Sequence, residues 1–273
     1  MSSIFESMRT GMIDSAVDTF SNFDKYLNGT YQLLTTDVFS GNWATISNAI
    51  AMVVKPTAAT ICGVCFLIQF LKITLNMDVV KWEFLVKVFG QFCIAKASID
   101  VSSDALKLVF YTVSRWITKV GTGTVSVGSQ LATSAQTTLN ECDFGKVLAI
   151  WLSSSIFVMF LKLLGMTIKV MGYAATFELT CINSVAPLPF AFLCLDDGAG
   201  QGSRVFKNFA FYYIGICLKP LFMIISITAF TTLASGISLS NWTEGLSDLL
   251  ILSMVLAMAL IKSEQWATRV LSA

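Results

Sequence analysis

Ser155, Lys162, Lys169, Thr176 and Asn183 recur every seven residues through a stretch, residues 147–194, that is otherwise almost entirely apolar. On an α-helix, positions seven apart drift only about 20° around the axis, so these five side chains form one narrow polar stripe. A lysine at the centre of a bilayer costs roughly 2.5–3.5 kcal/mol on insertion scales. Lys162 and Lys169 therefore either snorkel from helix ends to the headgroups or face a wet cavity or a partner. Both readings describe a membrane helix, and neither leaves room for an ordinary soluble enzyme.

Composition supports the same solvent. Hydrophobic residues make up 55% of the chain and charged residues 13%, about half the charged share of an average soluble domain. The formal charge of +1 provides neither a basic field for a nucleic-acid groove nor an acidic tail. The chain has no histidine, which removes the usual general base, the commonest metal ligand and the imidazole pH switch. No catalytic residue, cofactor or metal is expected. Cys62, Cys65, Cys93, Cys181, Cys194 and Cys217 sit in apolar runs and only Cys142 in a polar one. Their placement and odd count argue against a disulfide framework and for small hydrophobes. Cys62-Gly-Val-Cys65, to act as a redox or metal motif, would need further ligands or a soluble βαβ context, and the sequence shows neither.

The amino-terminal region, residues 1–43, reads as an amphipathic helix with Ile4, Phe5, Met8, Met12, Ala16, Phe20 and Phe23 on one side. It lacks the basic start and continuous apolar run of a cleavable signal peptide. Residues 44–120 read as a first membrane hairpin and an interfacial helix. The run 46–75 is interrupted by Lys55-Pro56, the run 84–99 carries Lys87 and Lys96, and Leu106, Val109, Phe110, Val113 and Ile117 mark the apolar side of 105–119. Residues 121–145 are rich in Gly, Ser and Thr and read as a polar loop; Gly121 to Gly128 lacks the Gly-Lys-Ser/Thr ending of a P-loop.

Residues 146–273 form the membrane core with a carboxy-terminal tail. Gly165 and Gly172, on the side of the polar stripe, allow another backbone to approach. Pro187 and Pro189 cannot both continue a regular helix, so they mark a break at membrane depth, tolerated only where protein or water covers the freed carbonyls. A short polar loop with Asp196, Asp197 and Arg204 follows, then the run 205–234 with Lys219-Pro220 near its middle, and the run 246–262. Trp43, Trp82, Trp116, Trp151, Trp242 and Trp266 lie near the ends of apolar runs, as membrane-interface tryptophans do. The expectation is an all-α polytopic integral membrane protein with five or six transmembrane helices, an amphipathic amino-terminal helix and a Pro-broken helix in the core.

The order of these segments carries a resemblance. Trp82-Glu83 leads into Val86-Lys87-Val-Phe-Gly-Gln-Phe-Cys-Ile-Ala-Lys96, and a Ser/Thr-rich stretch follows. Then come Phe177-Glu-Leu-Thr-Cys-Ile-Asn-Ser-Val-Ala-Pro-Leu-Pro-Phe-Ala-Phe, a short polar loop and Val205-Phe-Lys-Asn-Phe-Ala. Over roughly residues 44–262 this arrangement resembles the TrbL-like proteins, polytopic inner-membrane components of type IV secretion and conjugation machines related to the sixth protein of the VirB system. The small-Pro-Leu-Pro-apolar break with its polar loop and Phe-Lys-x-Phe stretch is the most specific element. The segment after Lys119 is shorter than in many relatives, which weakens any substrate contact attributed to a large loop.

The resemblance implies a non-enzymatic subunit of the bacterial inner (plasma) membrane, acting in several copies in pilus biogenesis and in the passage of DNA or protein. Pilin, other secretion subunits, separate cytoplasmic ATPases and membrane lipid are the implied partners, with transient contact to transferred DNA or protein. Read on this chain, Lys162, Lys169, Thr176, Glu178, Asn183, Pro187, Pro189 and Lys219 line a channel or subunit interface, with Glu178 pairing a lysine. Asp196, Asp197, Arg204 and Lys207 form a partner-facing loop. The alternative is a secondary transporter or channel for a small solute, supported by the paired Lys-Pro interruptions and intramembrane charges. An intramembrane enzyme would need a nucleophile and base pair that the sequence lacks.

Overall fold

The computed structural model describes residues 2–76, 82–120, 126–141, 144–195, 201–237 and 242–272, and these contain no strand. In chain order they form α1 (Ser2–Thr35), α2 (Gly41–Asn76), α3 (Trp82–Val120), α4 (Val127–Glu141), α5 (Phe144–Val185), α6 (Pro187–Ala191), a 3-10 turn (Phe192–Cys194), α7 (Gln201–Ala234) and α8 (Trp242–Ser272). Trp82 and Trp242 each open a helix.

Four stretches among the described residues are long and apolar enough to cross a membrane: Gly41–Lys72, Ser155–Cys194, Arg204–Ala234 and Glu244–Val270. The chain is a polytopic all-α membrane protein. The sequence count of five or six is higher because residues 84–99 belong to α3, whose charges keep it out of that set, and because residues 147–183, long enough for two crossings, form one helix, α5. The apolar side of α3 is where the periodicity placed it, with Leu106, Phe110, Val113 and Ile117 buried. α5 is an unbroken 42-residue helix, about 63 Å long at 1.5 Å per residue, twice the thickness of a bilayer core.

Neither Lys-Pro pair interrupts its helix. Pro56 lies inside α2 and Pro220 inside α7, so the two expected interruptions are corrected to continuous helix. Each proline removes a single i→i−4 bond, and in lipid no water competes for the backbone bonds that remain. Near Pro56, hydroxyls add donors: Thr57 Oγ1 donates to Val53 O at 3.1 Å and Thr60 Oγ1 to Pro56 O at 3.0 Å.

The chain divides into two compact units. The first comprises Met1–Thr36, Trp116–Ala175 and Lys219–Trp266. Its core joins Phe20, Phe23 and Leu27 of α1 to Val127, Leu131 and Ala135 of α4 and Ile168 of α5, all buried. Phe230 of α7 meets Phe23 edge-on with ring centroids 5.8 Å apart. The expectation of a polar loop over residues 121–145 is corrected here: α4 occupies much of it. Val127, Leu131 and Ala135, four residues apart, form the buried side, while Ser129, Gln130, Thr133, Ser134 and Gln136 face outward. That outer face carries no charge, but its hydroxyls and amides fit water better than lipid.

The second unit comprises Asp37–Arg115, Thr176–Leu218 and Ala267–Ala273. Its core gathers Ala58, Cys62 and Cys65 of α2, Ala95 and Ile99 of α3, Phe190 and Ala191 of α6 and Cys194. At its start Asp37 shapes the turn into α2: Oδ1 accepts the Phe39 N–H at 2.9 Å and Oδ2 accepts the Tyr111 hydroxyl at 3.1 Å. Gly41 then adopts φ +60, a backbone conformation open to glycine. Large apolar side chains remain uncovered on α2, Met52 at 75% and Leu75 at 82% exposure, a surface that needs lipid or protein against it.

Candidate functional site

The polar stripe of α5 finds its counterparts within the chain. In the first unit, Gly165 and Gly172 lie on the same side as Lys162 and Lys169, at spacings of three and four residues. A Cβ at Gly165 would come within 2.6 Å of the Tyr26 ring, and one at Gly172 within 2.9 Å of Thr30 Cγ2. The close approach expected at these glycines is that of α1. Lys162 itself is exposed and Lys169 half-buried, so the ammonium groups flank the α1 seat instead of being enclosed by it.

A third glycine fixes the other side of α1. Gly128, in the first turn of α4, sits where a Cβ would clash with the Phe20 carbonyl oxygen and lie 2.8 Å from Asp24 Cγ. Asp24 then caps α4 from a distance in sequence: Oδ1 accepts the Gly128 N–H at 2.8 Å and Oδ2 the Ser129 N–H at 3.2 Å. These are orphan donors of a helix amino terminus, where a carboxylate also complements the helix dipole. Burial pushes the Asp24 carboxyl above its usual range, with the two N–H bonds pulling the other way. A groove of about 330 Å³ opens beside it, lined by Val17, Ser21, Asp24, Ser129, Ala132, Thr133 and Gln136. None of these was a site candidate in the sequence; the Val127, Leu131, Ala135 periodicity was the signal that could have revealed α4.

In the second unit the stripe ends buried. Thr176 and Asn183 are 4% and 5% exposed, and Asn183 lies against α2. Ser184 Oγ donates to Thr180 O at 2.7 Å and lies 3.1 Å from Ser47 Oγ, while Asn183 Nδ2 donates to Ser47 Oγ at 3.5 Å. Ser47, Thr180, Asn183 and Ser184 are all buried. Asn183 Oδ1 has no hydrogen-bond partner among the described residues, a costly state for a buried acceptor. Sequence reasoning singled out Asn183 but not Ser47, because no local signal announces a pairing across 136 residues.

Four residues on, the helix breaks as the double proline demands. α5 stops at Val185, Ala186 forms the joint, and Pro187 opens α6 in the first turn, where its missing N–H costs nothing. With no N–H, Pro187 cannot donate to the Asn183 carbonyl, so one position carries both the orphaned amide oxygen and a backbone acceptor deprived of its usual donor. The break is interior, as expected: Ala186, Pro187, Phe190 and Ala191 are buried. Phe190 meets Phe206 of α7 edge-on at 4.9 Å. Glu178, five residues before Asn183 in α5, is half-buried.

Lys219 belongs to the first unit, where its Nζ lies 3.0 Å from Glu264 Oε2 of α8, with side chains 15% and 49% exposed. One turn along, Phe222 and Trp266 meet edge-on at 6.5 Å. Glu264 was missed in the sequence, where it reads as tail. Arg204 and Lys207 are exposed on the first turns of α7, not in a loop; Asp196 and Asp197 lie outside the described residues. Among the described residues no cluster of acidic or thiol side chains has the geometry of a metal site.

The profile of the TrbL/VirB6 plasmid conjugal transfer like proteins matches residues 34–187, more than half of the chain and the whole of α2 to α5. The chain belongs to this family. It is accordingly a component of conjugal transfer and type IV secretion, built as a multi-pass membrane protein. No match was found among curated proteins or solved structures. In this TrbL/VirB6-like chain the matched region includes the polar stripe and ends at Pro187, the first residue of α6, so the rest of α6, Phe206 and Lys207 lie beyond it.

Proposed function

We propose that the chain is a channel or scaffold subunit in the bacterial inner membrane that supports pilus assembly and the passage of DNA or protein. It works in several copies beside pilin, other secretion subunits and cytoplasmic ATPases, and carries out no chemistry of its own. The observation that carries this reading is the buried group Ser47, Asn183 and Ser184 at the double-proline break between α5 and α6, within a stretch long and apolar enough to cross a membrane. Polar groups and irregular backbone at membrane depth persist where they face protein or a passage. The exposed Lys162 and partly exposed Lys169 supply cations for a neighbouring copy or a substrate moving past. The solute-transporter reading loses its main support, because α2 and α7 run through their prolines without interruption.

The test is conjugal transfer with Lys162→Leu and Lys169→Leu combined. Transfer frequency is expected to fall at least about tenfold while membrane insertion and protein level stay at wild type, since removing intramembrane cations eases insertion. Unchanged transfer would overturn the assignment of the stripe.

A further inference from the structure

The Cys62-Gly-Val-Cys65 motif lacked a third group in the sequence, and the fold supplies one. Cys194, at the end of the 3-10 turn after the broken helix, places its Sγ 3.7 Å from Cys62 Sγ. Cys62 and Cys194 are each 1% exposed and Cys65 5%. Cys194 Sγ also lies 3.4 Å from Cys62 O and 3.2 Å from Ala191 O, which fixes the thiol against α2. Ala58 and Ala191 are small members of this core, to which Ile99 and Phe190 also belong. A disulfide needs sulfurs about 2.05 Å apart, so the two sulfurs, in van der Waals contact at 3.7 Å, must close the remaining distance for a bridge to form.

We propose that Cys62 and Cys194 are a modification site: a peroxide converts the pair to a disulfide that fastens the Pro-broken segment to α2. A peroxide is small and neutral enough to enter where larger reagents cannot. One thiol sulfur attacks the peroxide; the O–O bond breaks, the sulfur becomes a sulfenic acid, and the departing hydroxide takes that thiol's proton to leave as water. The second sulfur then attacks the sulfenic sulfur, the S–S bond forms, the S–O bond breaks, and the hydroxyl leaves with the second thiol's proton as water. Two thiols lose two electrons and one hydrogen peroxide becomes two waters. The consequence for transport rests on the proposed function: if the break must move for substrate to pass, the bridge arrests it.

The experiment uses the full chain in membranes with Cys93, Cys142, Cys181 and Cys217 replaced by serine. After a pulse of hydrogen peroxide, remaining thiols are blocked with maleimide and peptides are mapped by mass spectrometry. A Cys62–Cys194 linked peptide is expected, reversed by dithiothreitol, abolished by Cys62→Ser and retained in Cys65→Ser. Absence of the link, or its survival in Cys62→Ser, overturns the proposal. Transfer by cells carrying the same chain is expected to fall at least tenfold on bridging and to recover on reduction, with Cys62→Ser cells unaffected. If the bridge forms and transfer continues, the modification site stands and a moving break is refuted; if no bridge forms, the lysine experiment still decides the proposed function on its own.

Discussion

Gly128→Ala tests whether α4 is held to α1 by close approach. The added Cβ would lie 2.8 Å from Asp24 Cγ and press on the Phe20 carbonyl oxygen, whereas carbon atoms rest about 3.5–4.0 Å apart. Relief requires α4 to withdraw by roughly an ångström. The bonds from Gly128 and Ser129 to Asp24, now 2.8 and 3.2 Å, would then stretch past hydrogen-bonding range. Overpacking costs about 1–3 kcal/mol, and each lost bond to a carboxylate about 1.5–3 kcal/mol. The chain adopts the cheaper response, so α4 docking weakens by about 1–3 kcal/mol. A 15-residue helix is marginal alone in water, so undocking and unfolding of α4 coincide. At 1.4 kcal/mol per tenfold, hydrogen exchange across residues 127–141 should accelerate about 5- to 150-fold. Gly63→Ala, with nothing within 4 Å of its added Cβ, is the control and should be neutral or stabilising by up to about 1 kcal/mol. Wild-type exchange of α4 in Gly128→Ala would refute the argument.

Asp24 gives the same contact a pH dependence. Burial raises its pKa above 3.8, so the folded chain binds this proton more tightly than the unfolded chain, and docking is strongest below 3.8 and weakens as pH rises through the raised pKa. Exchange of α4 should follow that trend in wild type and lose it in Asp24→Asn. Asn183→Leu removes an unpartnered buried acceptor, so thermal stability in detergent should hold or rise by about 1 kcal/mol, while transfer falls. A clear loss of stability would show that Asn183 is structurally satisfied. Ser47→Ala, which removes a partner from both Asn183 and Ser184, should cost about 0.6–2 kcal/mol in the same assay. Glu264→Gln should destabilise more than Lys219→Met, about 1–3 against under 1 kcal/mol, because Lys219 is the more buried partner; equal losses would contradict that asymmetry.

What the sequence could reveal was periodicity, and periodicity located faces without naming neighbours. Leu106, Val109, Phe110, Val113 and Ile117 mark one apolar side of a helix in the sequence, and all but the partly covered Val109 are buried within the protein. Gly165 and Gly172 signalled a close approach, but only the fold shows that Tyr26 and Thr30 fill it. The heptad stripe was read as one surface, yet its lysines are accessible and its Thr176 and Asn183 are enclosed; spacing along a helix says nothing of where packing begins. The Ser/Thr-rich segment was taken for a loop because its composition masked the four-residue recurrence of Val127, Leu131 and Ala135. Its helix depends on docking more than on propensity, which is modest for Ser and Thr. Pro56 and Pro220 were over-read, since an isolated proline in a membrane helix loses one bond, whereas Pro187 and Pro189 together end one.

The two clusters around the break act on opposite sides of a single joint. Ser47 is bonded to the last turn of α5, at Asn183 and Ser184, and fifteen residues further along α2 Cys62 meets Cys194 beyond α6. The broken helix and α2 therefore run parallel, tied at both ends by contacts of different chemistry. The upstream tie consists of hydrogen bonds, one of them long, with an acceptor left over. The downstream tie is apolar packing, in which Cys62 and Cys194 share a core with Ala58, Ile99, Phe190 and Ala191. Close packing resists partial displacement, while a hydrogen-bonded group can exchange one partner for another. A ligand or subunit that acts on this site thus meets less resistance at Asn183 than at Cys194, and the joint at Ala186 would turn about an anchored α6. On that geometry, a bridge between Cys62 and Cys194 fixes the far end of the broken segment to α2, so that a change of partner at Asn183 can no longer carry α6 with it.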